Sequence, residues 1–160
     1  MEKTNASRIL DRLGVKYQLV EYKVDPEHLD AIHVANELGE DIETVFKTLV
    51  LHGDKTGYFV CVIQGDKEVD LKKAAKISGN KKVAMIPMKE LLPLTGYIRG
   101  GCTAIGMKKN FPVYLDANAL DQEFIYISAG KRGLQIKLSP SDYLDATKAT
   151  VGEIISEEIA

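Results

Sequence analysis

Phe46-Lys47-Thr48-Leu49-Val50-Leu51-His52 runs into Gly53-Asp54-Lys55-Thr56-Gly57 and then into Tyr58-Phe59-Val60-Cys61-Val62-Ile63. Two strongly apolar runs flank a polar stretch bounded by glycines, a pattern that predicts a β-hairpin. On the first of these strands Lys47 shares a face with Val45, Leu49 and Leu51. That face reads as a core face, where an unpaired ammonium is costly. Two readings stand: Lys47 lies at the strand entrance and snorkels to water, or it forms a pocket floor that holds an ester, carboxylate or phosphate.

Outward from the hairpin the chain alternates helices and short strands. Asn5–Leu13 carries Ala6, Ile9, Leu10 and Leu13 at helical spacing, with Thr4 or Asn5 as cap and Gly14 as terminator. Lys16–Tyr22 alternates like a strand and is broken by Asp25-Pro26. Leu29–Leu38 predicts a helix closed by Gly39, and Asp41–Thr44 a capped turn. Downstream, Asp70 caps a predicted helix over Leu71–Ile77, Lys82–Ile86 predicts a strand, and Pro87 opens a helix through Leu92. Pro112–Leu115, Phe124–Ser128 and Leu134–Leu138 predict strands, and Ser139-Pro140 starts a last helix through Ala146. Strands mixed with helices, several of them joined as hairpins, predict an α+β (mixed α/β) domain.

The composition sets limits on function. The chain has 160 residues, which suits a single domain spanning 1–160. Hydrophobic residues make up 45% and charged residues 28%, the balance of a folded globular protein and not of a disordered one. A chain of this length buries roughly 70% of its unfolded surface, so it needs no disulfide or metal staple. The formal net charge of -2 excludes a general electrostatic coat for nucleic acid. Two cysteines make neither a disulfide framework nor a zinc site: Cys61 reads as a buried small hydrophobe and Cys102 as a loop residue. Met1–Leu10 lacks the apolar core of a signal peptide, and no apolar run is long enough to span a membrane. The expected compartment is the cytoplasm.

Two further stretches stand out. Gly96-Tyr97-Ile98-Arg99-Gly100-Gly101-Cys102-Thr103-Ala104-Ile105-Gly106, followed by Lys108-Lys109, has little hydrophobic periodicity. Its paired glycines let backbone amides approach a ligand, and Arg99, Lys108 and Lys109 are candidate phosphate contacts. The Gly-Lys-Ser/Thr ending of a nucleotide-binding P-loop is missing. Ser128-Ala129-Gly130-Lys131-Arg132-Gly133 reads as a hairpin turn with Ser128 at a strand end, able to hydrogen-bond into a pocket. His28, His33 and His52 have no spacing that ties them to Ser128 or to a metal, so neither a Ser-His-Asp triad nor a zinc site is supported. No cofactor is expected.

Taken in order, four motifs resemble one family. They are Phe46-Lys47-Thr48-Leu49-Val50; Val69-Asp70-Leu71-Lys72-Lys73-Ala74-Ala75; Thr95-Gly96-Tyr97 with Gly100-Gly101 and Gly106-x-Lys108-Lys109-x-x-Pro112; and Ile127-Ser128-Ala129-Gly130-Lys131-Arg132-Gly133-Leu134. Each alone is weak, but four in register resemble the YbaK/EbsC family, free-standing relatives of the editing domain inserted in bacterial prolyl-tRNA synthetase. The similarity runs from about Ile9 to about Ile155.

The resemblance implies a mixed sheet, central and partly barrel-like, with surrounding helices. It also implies a trans-editing aminoacyl-tRNA deacylase that acts on Cys-tRNA(Pro), with Cys-tRNA(Cys) as a further substrate. The family's essential lysine falls on Lys47, with Phe46 in place of the usual tyrosine before it. The next threonine falls on Thr48, the pocket serine on Ser128 beside Gly130, and the pocket glycine loop on Gly100-Gly101. A pocket tyrosine matches Tyr22, from Tyr-x-x-Asp-Pro. Where the family often has an acidic residue two positions after Arg-Gly, this chain has Gln135, so no acidic role carries over.

The mechanism implied is substrate-assisted. The cysteinyl thiol attacks its own ester carbonyl and leaves as a thiolactone. The protein then supplies orientation, worth up to about 7–11 kcal/mol, and oxyanion donors at roughly 3–4 kcal/mol each. Amides around Gly100-Gly101 are expected to hold the carbonyl oxygen. Lys47 is expected to anchor the phosphate or ester oxygens and Ser128 to orient the aminoacyl group. Arg99, Lys108, Lys109, Lys131 and Arg132 are the expected tRNA contacts, joined by Lys72-Lys73-Lys76 and Lys81-Lys82. The partners implied are the acylated 3′ end of tRNA and prolyl-tRNA synthetase. Two alternatives stay open: a deacylase for another small amino acid, such as Ala-tRNA(Pro), and a non-catalytic module that binds a tRNA end or nucleotide.

Overall fold

Thr4 opens the first helix, α1 (Asn5–Leu13), through a reciprocal cap. The Ser7 amide donates to Thr4 Oγ1 at 3.2 Å and the Thr4 amide to Ser7 Oγ at 2.8 Å. In the computed structural model, which describes residues 2–157, there follow β1 (Gln18–Glu21), α2 (Ala31–Leu38), β2 (Phe46–Gly53) and β3 (Gly57–Gln64). Then come α3 (Leu71–Ser78), β4 (Val83–Met85), α4 (Leu91–Thr95), β5 (Val113–Asp116), β6 (Ile125–Ser128), β7 (Leu134–Leu138), α5 (Pro140–Thr147) and β8 (Thr150–Gly152). The expected domain span includes residue 1 and residues 158–160, which lie outside the described part.

The boundaries move where a local hydrogen bond decides them. α2 starts at Ala31, later than the apolar pattern suggests, because the Asp30 carboxylate accepts the His33 amide and caps it there. The helix expected from Pro87 is instead a 3₁₀ turn, Met88–Glu90, followed by α4. Pro93 has no N–H to return to the Lys89 carbonyl, so a continuous α-helix lacks one of its bonds there. β8 is three residues long and carries no periodicity a sequence could reveal.

The mixed α+β class holds, but the partly closed sheet does not. There are two sheets, β1-β7-β6 and β4-β2-β3-β5-β8. Among the described residues their backbones are joined by one parallel bridge, Val45 to Tyr126. One bridge is too little to continue a ladder around a barrel. The main core fills the space between the sheets: Phe46, Val50, Val60 and Val62 meet Ile125, Ile127, Ile136 and Leu138, with Leu10 and Tyr143 closing the ends. The outer face of the larger sheet packs Leu51, Phe59, Cys61 and Ile63 against Ala74 of α3 and Ile154. α2 covers the junction through Val34 and Ala35, packed with Val45 and Tyr126. Among the described residues no helix is long and apolar enough to cross a membrane.

Candidate active site

The chemistry sits where the two sheets part. Beyond the Val45–Tyr126 bridge no further pairing joins the two strands among the described residues, and the residues that follow on each, Lys47 and Thr48 on β2 and Ser128 on β6, line a cavity of about 490 Å³. β2 is paired along its whole length with β3, but β4 covers its other edge only at Leu51–Gly53. The edge from Phe46 to Leu49 is therefore open to the cavity, and alternate residues there present N–H and C=O groups away from β3. Arg99, Gly100 and Gln135 complete the polar side. Leu29, Val34, Met85, Ile86, Met88 and Leu91 form the apolar side. This size and this mix suit a small-molecule or nucleotide-end ligand.

Lys47 has two readings, a snorkelling cation and a pocket floor. It is half-buried, stands opposite Ile63 in the β2–β3 register and lines the cavity. Leu49 and Leu51 do pack on the outer core, as the shared face requires. Among the described residues no carboxylate or other acceptor meets the Lys47 ammonium. A half-buried cation without a protein partner is poised for an anionic or ester oxygen.

The glycine loop docks on the β6–β7 turn. A Cβ on Gly101 would stand 3.1 Å from the Lys131 Cα and 3.3 Å from its carbonyl carbon, a tight contact with backbone that glycine avoids. Gly100 has φ of +86°, a conformation that favours glycine, and its position lies against Arg132. The Arg132 Nε donates to the Arg99 carbonyl at 2.9 Å. The loop is further held by the Tyr97 hydroxyl, which donates to the Ile105 carbonyl at 2.6 Å. Gly101 donates its N–H to the Ile98 carbonyl at 3.0 Å and does not line the cavity. Of the glycine pair, Gly100 is the one that faces the cavity.

The remaining expected residues divide. Ser128 is 8% exposed, and its Oγ accepts the Gly130 amide at 3.1 Å, which leaves its own proton free for a ligand. Tyr22 and Gly130 lie outside the cavity lining. Tyr22 packs on the Val34–Val45–Tyr126 cluster behind it, and Gly130 supports the Tyr97 ring, whose nearest carbon a Cβ would meet at 3.1 Å. Lys108, Lys109 and Lys131 are exposed beyond the rim. No histidine lines the cavity: His28 pairs with Asp25 at 2.8 Å and His52 meets the Tyr58 ring edge-on. Among the described residues no three His, Cys, Asp or Glu side chains form a metal-binding group.

Cys102 and the apolar wall escaped the sequence reading. Cys102 lines the cavity, and burial pushes its thiol up to about 12. It therefore stays a neutral thiol at physiological pH and does not compete as a nucleophile. The apolar wall from Met85 to Leu91 also went unread, because a three-residue strand and a 3₁₀ turn leave no period to detect.

The fold and cavity define a domain of the aminoacyl-tRNA editing class. The family model described as "Aminoacyl-tRNA editing domain" matches residues 25–146, and the chain belongs to that family. It is 50% identical over 98% of its length, and 96% of the relative's, to an Enterococcus faecalis protein provisionally named Cys-tRNA(Pro)/Cys-tRNA(Cys) deacylase EbsC. It is 28% identical to a proline–tRNA ligase of Shouchella clausii over 72% of this chain but 20% of that enzyme. Among solved structures, the hypothetical protein APE2540 superposes with a TM-score of 0.87 at 22% identity, covering 96% of this chain and all of that one. A protein described as a trans-editing enzyme for prolyl-tRNA synthetase superposes with a TM-score of 0.83 at 24% identity, covering 98% and 100%. At these identities the two structures establish the shared fold.

Proposed function

We propose that this protein is a trans-editing deacylase that removes cysteine from Cys-tRNA(Pro), and from Cys-tRNA(Cys) as a second substrate. One observation carries the reading. The cavity gathers the Lys47 ammonium, the Ser128 hydroxyl and the Gly100 backbone, and among the described residues Lys47 has no acceptor and none of the cavity's hydroxyl or thiol groups is hydrogen-bonded to a base. Such a site orients and polarises an ester but carries no nucleophile of its own. A cysteinyl ester brings one. The name of the 50%-identical relative supports the same substrate.

In the reaction the substrate's Sγ, as thiolate, attacks the ester carbonyl. A C–S bond forms, the C–O bond to the ribose breaks, and the ribose oxygen takes up the proton the thiol released. A thiol of pKa about 8.5 supplies a few per cent thiolate at neutral pH. Lys47 anchors the phosphate or ester oxygens, Ser128 and Thr48 orient the aminoacyl group, and the Gly100 amide receives the developing oxyanion. Gly101, Gly130 and Tyr22 support the cavity from behind. Arg99, Lys108, Lys109, Lys131 and Arg132 contact the tRNA backbone. A net charge of -2 favours weak unaided binding, so prolyl-tRNA synthetase is the partner we assign for tRNA selection, in the cytoplasm. The whole chain acts as one editing domain.

The test is loss of ester from tRNA(Pro) charged with cysteine, alanine or proline. Rapid loss from the cysteinyl ester alone supports the reading. Selective loss from the alanyl ester turns it into a small-amino-acid deacylase, and no loss from any makes it a binding module.

A further inference from the structure

Gln135 stands directly opposite Ser128 in the β6–β7 register and lines the same cavity. Directly opposed residues of an antiparallel pair project from one face. Gln135 is 5% exposed, and its Oε1 is withdrawn from water with no hydrogen-bond partner among the described residues. An unmet buried acceptor is destabilising, and an apolar side chain of the same size would avoid that cost. The orphan acceptor therefore points to a ligand that completes it, and rotation about the last side-chain bond brings either end of the carboxamide to the cavity.

The chemistry of the cavity says which ligand group that is. Lys47, Arg99, Ser128 and the Gly100 backbone offer donors, suited to the ester and phosphate oxygens of the substrate. The aminoacyl group also carries an α-amino group, which needs an acceptor. Asp30, the cavity's one carboxylate, is exposed and already accepts the His33 amide.

We propose that Gln135 accepts a hydrogen bond from the α-amino group of the bound aminoacyl ester and sets its orientation. This rests on the deacylase reading. Because the carboxamide is neutral, it holds the amine with less bias toward the ammonium form than a carboxylate would, and adds no negative charge that would raise the pKa of the substrate thiol.

The test compares Cys-tRNA(Pro) with 3-mercaptopropionyl-tRNA(Pro), which keeps the thiol and lacks the amino group. The wild-type protein should prefer the cysteinyl ester by about tenfold to a hundredfold in kcat/KM. Gln135→Met and Gln135→Leu should erase that preference by slowing the cysteinyl ester far more than the amine-free ester, and should unfold at or above the wild-type temperature. Gln135→Glu should keep the preference and move the rising limb of the pH–rate profile to higher pH. Equal slowing of both esters in the Met and Leu variants assigns Gln135 a structural role and overturns the proposal. So does a wild-type protein indifferent to the amino group. A wild-type protein that cleaves neither ester overturns the deacylase reading and this proposal with it.

Discussion

Arg132 donates its Nε–H to the Arg99 carbonyl at 2.9 Å, and this bond ties the β6–β7 turn to the glycine loop at the cavity rim. The same guanidinium is a proposed tRNA contact, so charge and geometry need separating. Arg132→Lys keeps the charge and loses the fixed fork. We expect it to lower kcat several-fold while leaving the salt dependence of tRNA binding near wild type. Arg132→Ala should change both. Single-turnover rates and a salt titration check this.

The loop and turn meet through Gly101. A methyl group there would press on the Lys131 backbone at 3.1–3.3 Å, and backbone yields less readily than a side-chain tip. Gly101→Ala should destabilise the fold by about 1–3 kcal/mol and slow ester cleavage by shifting Gly100. Thermal melting and single-turnover deacylation measure the two effects.

Stability should fall at alkaline pH. Burial pushes both the Cys61 and the Cys102 thiols from 9.0 to about 12. Above pH 9.0 the unfolded chain releases these protons while the folded chain keeps them. The contribution is therefore complete below that pH and is lost as the pH rises toward 12, by up to about 1.4 kcal/mol per pH unit for each thiol. Cys102→Ala should flatten this decline by one thiol's share, read from urea midpoints across the alkaline range.

Binding of tRNA should weaken steeply with salt, because each phosphate contact contributes about 0.9 to the logarithmic slope on a duplex and about 0.7 on a single strand. Lys108→Ala and Lys109→Ala together should reduce the slope by about 1–2. A flat dependence in the wild-type protein would count against a tRNA substrate.

Most elements were legible in the sequence because their signals are local. The β2–β3 hairpin, α3 behind Asp70 and α5 behind Ser139 follow from alternation and caps. The open edge of β2 and the parting of the sheets were not legible, since they depend on which strands fail to pair. For the same reason the expected partly closed sheet resolved into two. Lys47 stood out as a charge on an apolar face. The difference between Gly100 and Gly101 was invisible, because it depends on one bond from Gly101 to the Ile98 carbonyl. Cys102 and Gln135 enter the cavity only through tertiary packing, and neither residue type announces that from its neighbours.

Lys47 at the parting of the sheets is the centre of the account, and single-turnover loss of ester from Cys-tRNA(Pro) by wild-type and Lys47→Ala proteins tests it most directly. Among the described residues Lys47 has no partner, so the substitution should leave stability within about 0.5 kcal/mol of wild type. We predict rapid cleavage by the wild-type protein with a trappable thiolactone product, and a loss of at least about 100-fold in the variant. A folded Lys47→Ala protein with wild-type activity, or free cysteine formed with no thiolactone before it, would contradict the account.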